Sequence, residues 1–171
     1  MNKKILIRIS AIVLCVITMV LIFYFSADTA PESEKKSDGL TSKIVHTIDP
    51  SVDEKADDRS RRLYEMIGAV VRKTAHFSEF AALGFFTSIA VNTIYPNLKR
   101  RITIPFIFGV IYAISDELHQ LFVPGRAGSF TDVLIDALGV AAGVAVSMGI
   151  FAFFEKKRAK NSKNNIDFDK T

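Results

Sequence analysis

The chain holds one cysteine, Cys15, so neither an intrachain disulfide nor a zinc site built on several thiolates can form. It carries no evident internal repeat and no complete metalloprotease motif, since "HFSE" and "DELH" are only short strings of histidine and acid. Strong charge of one sign is also missing. A net charge of +4 over 171 residues is modest, and the bases gather at the ends of apolar runs, where membrane orientation accounts for them. Nucleic acid is therefore not an expected partner.

What is present is apolar sequence in long blocks. Hydrophobic residues make up 49% of the chain, gathered in runs rather than spread with the period of a soluble helix, which points to a membrane protein. Residues 5–25, broken by Arg8, are long enough at about 1.5 Å per residue to cross a hydrocarbon core of roughly 30 Å. A cleaved signal peptide competes with this reading, because Lys3 and Lys4 precede the run and small residues follow it. The run exceeds the usual h-region of about 7 to 15 residues, which favours an uncleaved anchor. Three further runs, residues 74–95, 102–122 and 130–154, bring the expected spans to four. Pro96-Asn97, Pro124-Gly125 and Lys156-Lys157-Arg158 punctuate their ends. Pro105 is expected in the first turn of the third span, where a missing N–H costs little.

Residues 27–73 form a polar segment with ten acids and nine bases. Its start, "DTAPESEKKSDG", reads as loop. From Ser51 the pattern becomes helical, with a Ser51–Glu54 capping box, Asp57–Arg61 and Asp58–Arg62 pairs at i,i+4, and Leu63, Ile67 and Val70 on one face. This predicts an amphipathic helix on the membrane surface that runs into span two; a solvated helix without membrane contact is the plainer alternative. The expected architecture is thus an all-α membrane protein, with four transmembrane helices in a compact bundle plus an amphipathic extracytoplasmic helix before the second span. Residues 1–155 make the membrane domain and 156–171 a basic, disordered cytoplasmic tail. Counting Lys and Arg gives twelve inside against ten outside when the N-terminus is inside, which favours both termini in the cytoplasm.

With that topology the intramembrane charges converge near one face of the membrane. Arg72, His76 and Glu79 share a helical face at the start of span two, Asp116 and Gln120 close span three, and Asp132 and Asp136 open span four. Arg126 sits in the turn between the last two. Below them small residues continue the same faces, Gly109 and Ala113 in span three and Gly139 and Gly143 in span four. Small residues let membrane helices approach closely, so these two faces are expected to look at each other. An ionised side chain at the bilayer centre costs at least about 2.5 to 3.5 kcal/mol, less toward the interface. A structural salt-bridge network therefore competes with a functional site. Intramembrane ionisable residues default to function, which decides for function at Glu79, Asp116, Arg126 and Asp132 and leaves Lys73, Glu117 and His119 even.

Two segments, "RKTAHFSEFAALG" and "SDELHQLFVPGRAGSFTDVLIDALGVAAG", resemble the signature segments of the VanZ-like membrane proteins. The likeness rests on Lys73, His76, Phe80 and Leu83 in the first, and on Asp116, Glu117, Gln120, Phe122, Pro124, Arg126, Asp132 and Gly139 in the second. It extends over residues 5–150, and "FYFSADTAPESEKKS" is similar to the Ser-rich segment after that family's first span. The chain departs from the pattern at Asp28, where the family often has Gln, and at Asp136, where it usually has Asn. The resemblance implies a multi-pass protein of the bacterial cell membrane. It also implies a link to the cell envelope, since the family takes its name from a protein associated with low-level resistance to teicoplanin-type glycopeptides.

Three function classes follow. In the first, the polar mouth binds a lipid or lipid-linked envelope component, with Arg72, Lys73, Gln120, Arg126 and Asp136 as ligand-binding residues and the arginines taking an anionic headgroup by bidentate hydrogen bonds. In the second, a membrane-embedded enzyme acts on an envelope lipid through His76, Glu79, Asp116, Glu117 and Asp132 as candidate catalytic groups. There His76 with Glu79, facing Asp116 and Glu117, can supply a general acid and base or hold a divalent cation. The third is a small transporter using the acids as a relay. No cofactor and no resident metal are assigned from the sequence; membrane lipids are the expected partners.

Overall fold

The computed structural model describes residues 2–50, 52 and 57–168. Among them are five helices and no strand: α1 (Lys3–Ser26), α2 (Ala30–Ile48), α3 (Asp58–Asn92), α4 (Leu98–Gln120) and α5 (Phe130–Phe168). Three of them, Lys3–Ser26, Leu98–Gln120 and the Phe130–Arg158 part of α5, are long and apolar enough to cross a membrane. The run expected to make the second span lies in α3, which falls short of that apolarity. His76, Glu79 and Asn92 dilute its second half, and this helix is the one most enclosed by others, so lipid does not dictate its composition.

Helix α1 shows how sequence sets packing here. Ala11, Cys15, Thr18, Ile22 and Ser26 are buried at steps of three or four and form one stripe. The remaining faces expose Ile9, Val13, Val16 and Val20, a surface suited to hydrocarbon rather than water. Arg8, the one charge in this run, does not point into lipid. It donates from Nε to Thr93 Oγ1 and from Nη2 to the Thr93 carbonyl, both at 2.9 Å, where α3 ends. The bond meets a carbonyl that the helix itself leaves unpaired.

The segment read as loop after span one is helix α2. Its first turn is fixed by Glu32, whose Oε2 accepts from the Thr29 backbone N–H at 2.9 Å and from Thr29 Oγ1 at 2.8 Å. Pro31 sits in that turn, where no N–H is needed. Two acids and two bases among six residues obscured this start.

Helix α3 starts at Asp58, and the proposed Ser51–Glu54 box lies outside the described residues. Asp57 is its N-cap and accepts from the Ser60 N–H at 2.6 Å. Arg61 pairs with Glu65 at 3.3 Å rather than with Asp57, because the cap holds Asp57 off the helix side. The segment expected as an amphipathic helix and the apolar run after it lie in one unbroken helix of 35 residues, roughly 50 Å long. Helix α2 runs antiparallel along the first half of α3, with Thr41 against Gly68 and Tyr64 Oη 3.4 Å from His46 Nε2. Helix α1 runs along the second half.

Helix α4 begins at Leu98, capped by Asn97 Oδ1, which accepts from the Lys99 N–H at 2.8 Å. The expected start was four residues later; Lys99, Arg100 and Arg101 are good helix formers and add a turn. Pro105 consequently lies inside the helix rather than in its first turn. Helix α5 continues as far as Phe168, through residues expected to be a disordered tail, with no glycine or proline after Gly149 to stop it.

Helix α3 is central, packing most heavily on α5 and also on α1, α2 and α4. Gly139 and Gly143 of α5 lie against the Phe77 and Ala81 carbonyls of α3, with no room for a Cβ. Gly84 of α3 is pressed in the same way against the Val140 backbone, and Gly109 of α4 against the Val140 side chain. Val140, fully buried, is thus the point where α3, α4 and α5 interlock. The expectation that the small-residue faces of α4 and α5 look at each other holds at this level only for α4, whose Gly109 meets Val140 of α5; the α5 glycines turn to α3 instead. Phe80, Leu83, Ile22, Ala113 and Val144 complete the core.

Candidate functional site

Just beyond this core, the end of α1, the middle of α3, the end of α4 and the start of α5 meet. Eight of the ten candidate residues line a cavity of about 300 Å³ there: Arg72, Lys73, His76, Glu117, Gln120, Arg126, Asp132 and Asp136. Helix α2 closes one side with Ala30, Ser33 and Glu34. Glu79 lies instead in a neighbouring cavity of about 280 Å³, shared with Arg72, His76 and residues of α2. Asp116 stands behind the wall, 4% exposed. His119 is turned away, its ring stacked on Phe23 with centroids 4.5 Å apart.

A hydrogen-bond chain holds this wall. Asp116 Oδ2 accepts from Ser26 Oγ at 2.8 Å and from Gln120 Nε2 at 3.0 Å. Gln120 Oε1 in turn accepts from Arg126 Nη1 at 3.2 Å, and Arg126 Nε donates to the Asp28 carbonyl at 2.9 Å. Gly125, with φ +78°, makes the turn that brings Arg126 back. Arg126 thus binds a glutamine oxygen and main-chain carbonyls at the end of α1 rather than a carboxylate.

The ion pairs are few. Lys73 Nζ stands 2.7 Å from Asp132 Oδ1, both half-exposed. His76 Nδ1 is 3.8 Å from Glu79 Oε2. Glu117 Oε1 accepts from the Ser129 N–H, which fastens the turn between α4 and α5 and takes that carboxylate out of the cavity's free groups. Among the described residues, Arg72 and Arg126 have no carboxylate within ion-pair distance. Two guanidinium groups therefore line the cavity without a direct carboxylate partner, beside Glu34, Glu117, Asp132 and Asp136.

At the floor, donor atoms of His76, Asp116 and Asp136 lie within 4.8 Å of one another. Here the acid-bearing faces of α4 and α5 do meet, one turn beyond the glycines. Asp136 is 2% exposed, and Asp116 Oδ1, Asp136 Oδ1 and His76 Nδ1 are buried without a hydrogen-bond partner. The grouping expected from sequence put His76 with Glu79, facing Asp116 and Glu117; Glu79 does stand beside His76, whereas Asp136, and not Glu117, joins His76 and Asp116 at the floor.

Sequence reasoning missed Ser26, Ser33 and Glu34. Ser26 had a signal in the Ser-rich segment after span one, whereas the carbonyls of Phe25 and Asp28 that receive Arg126 leave no trace in side-chain pattern. The comparison with protein families finds a match over residues 11–154 to the family described as VanZ/LLP1. No curated protein and no solved structure matches the chain significantly.

Proposed function

This chain belongs to the VanZ/LLP1 family, and from that premise we propose that it is a membrane protein whose polar cavity binds the anionic headgroup of an envelope lipid or lipid-linked component. The observation that carries the reading is the pair Arg72 and Arg126, lining one cavity with no carboxylate within ion-pair distance among the described residues. A guanidinium is a planar fork that matches phosphate or carboxylate oxygens two at a time. Arg126 is already oriented through Gln120 and Asp28, so little side-chain freedom is lost on binding.

In this reading the second half of α3 crosses the membrane as a fourth span beside α1, α4 and α5. Both termini are cytoplasmic, and the cavity opens at the outer face. Helix α2 and the first half of α3 then rise together over the cavity rather than lying flat, because α3 has no break at which to bend. Lys73, Asp132 and Glu117 shape the rim.

The expected cellular effect is altered susceptibility to teicoplanin-type glycopeptides, which act at the outer envelope surface. In cells expressing equal amounts of each protein, wild type should reduce sensitivity and Arg126→Ala should abolish that effect. Equal sensitivity with both proteins would remove the proposed role.

A second reading, an enzyme acting on an envelope lipid, is favoured by one observation, the buried grouping of His76 with Asp116 and Asp136. His76 would exchange a proton with the bound lipid and the acids would orient its ring. Turnover of a headgroup by purified protein, lost in His76→Gln with binding retained, distinguishes it from simple binding.

A further inference from the structure

We infer that His76, Asp116 and Asp136 hold a divalent metal cation at the floor of the cavity. The three come from α3, α4 and α5, and their donor atoms lie within 4.8 Å of one another. Ligands about 2.0 to 2.2 Å from an ion stand roughly 3 to 4 Å apart, so a rotamer adjustment of the two carboxylates closes the set.

Three observations argue for an ion rather than a chance gathering. First, Asp136 is 98% and Asp116 96% buried, given their 2% and 4% exposure, and each keeps an oxygen with no hydrogen-bond partner. An unpaired buried charge is expensive and calls for a compensating cation. Neither acid is ion-paired to a lysine or arginine among the described residues. Second, His76 adds a neutral-nitrogen donor to the two acids: its Nδ1 stands 3.8 Å from Glu79 Oε2 without a hydrogen bond, and its ring brings a nitrogen within 4.8 Å of the acid oxygens. Third, the other oxygen of Asp116 is already occupied. Oδ2 accepts from Ser26 Oγ at 2.8 Å and from Gln120 Nε2 at 3.0 Å, which leaves Oδ1 for the floor. Metal-ligating carboxylates are oriented by such outer hydrogen bonds.

One imidazole and two carboxylates suit Zn²⁺ or Mn²⁺ better than a soft cation. Three protein donors leave a coordination position facing the cavity, where an oxygen of an anionic headgroup can bind. The ion also removes a conflict: without it, two carboxylates would back a cavity that Arg72 and Arg126 make anion-seeking. Its role toward a headgroup rests on the proposed function above, whereas its binding does not.

The test uses full-length protein in detergent, stripped with chelator and titrated with Zn²⁺ or Mn²⁺ alone, with retained metal counted by elemental analysis. Wild type should retain a single ion per chain. Loss of outer-shell partners alone costs about 10- to 100-fold in affinity, so Asp136→Asn and His76→Gln should each lose more than tenfold. Glu155→Gln, at the far end of the membrane part of α5, should bind as wild type does. Wild-type elution behaviour in both site variants shows that they are folded. No retention of either ion by wild type, or equal affinity in folded Asp136→Asn, overturns the site. Anionic lipid bound by metal-free protein that takes up no ion overturns the ion and leaves the headgroup reading standing. A single bound ion without lipid binding supports the ion and removes the headgroup reading.

Discussion

Ser26, the last residue of α1, donates its hydroxyl to Asp116 Oδ2 at 2.8 Å across a separation of 90 residues. Both side chains are buried, so this bond ties the end of α1 to α4 at the wall of the cavity. Ser26→Ala leaves a buried carboxylate oxygen with Gln120 as its one remaining donor. A lost hydrogen bond to a charged group costs about 1.5 to 3 kcal/mol. Thermal unfolding in detergent should show a destabilisation of that size, and Ser26→Thr, which keeps the hydroxyl, should recover most of it.

The glycines of α5 make a second test. A Cβ on Gly143 would collide with the Ala81 carbonyl of α3, whereas Gly149 has open space around it. Gly143→Ala should therefore push α3 and α5 apart and destabilise by about 1 to 3 kcal/mol, the usual cost of overpacking. Gly149→Ala should be neutral or slightly stabilising, because alanine favours the helix. Resistance to unfolding in a denaturing detergent measures both, and equal behaviour of the two variants would contradict the close α3–α5 packing.

The first turn of α2 is sensitive to acid. The Thr29 backbone N–H, and after it the Thr29 hydroxyl, hold the Glu32 carboxyl below its ordinary value of 4.5. A carboxylate whose folded value is depressed stabilises the fold above its unfolded value, and the contribution is lost as pH falls through the folded value. Protection of the amides at the start of α2, taken relative to the free-peptide exchange rate at the same pH, should thus fall as pH drops below the ordinary carboxyl range in wild type. In Glu32→Gln, which has no carboxylate to titrate, exchange there should show no such step.

Much of the cavity lining was legible in the sequence because charged residues are conspicuous in and beside apolar runs. Arg72, His76, Asp132 and Asp136 stand at helical spacing in apolar runs, and the structure brings them to one cavity. What sequence left hidden was direction. Periodicity groups Gly139 and Gly143 with Asp136 but cannot say whether α3 or α4 receives them; the receiving surface is the α3 backbone, whose carbonyls carry no sequence signal. Glu117, left even between function and structure by the sequence, lines the cavity and also accepts from the Ser129 N–H, a main-chain donor that side-chain pattern does not show. Helix α2 was read as loop because its polar residues, exposed on most sides, follow no apolar rhythm beyond Thr41 and Val45. Its start was nonetheless written in Thr29 and Glu32, at the spacing of a capping box.

Binding of lipid to the purified protein tests the central claim most directly. Native mass spectrometry of wild type and Arg126→Lys, each offered phosphatidylglycerol and phosphatidylcholine in equal amounts, reads headgroup charge and guanidinium geometry together. Lysine keeps the charge but cannot hold Gln120 and the Asp28 carbonyl while meeting a headgroup. Loss of charge-assisted bonds worth about 1.5 to 3 kcal/mol corresponds to roughly a 10- to 100-fold change in affinity. The account predicts that wild type retains phosphatidylglycerol in preference to phosphatidylcholine and that Arg126→Lys loses at least about tenfold of that retention. Equal retention of the two lipids by wild type, or an unchanged preference in Arg126→Lys, would contradict it.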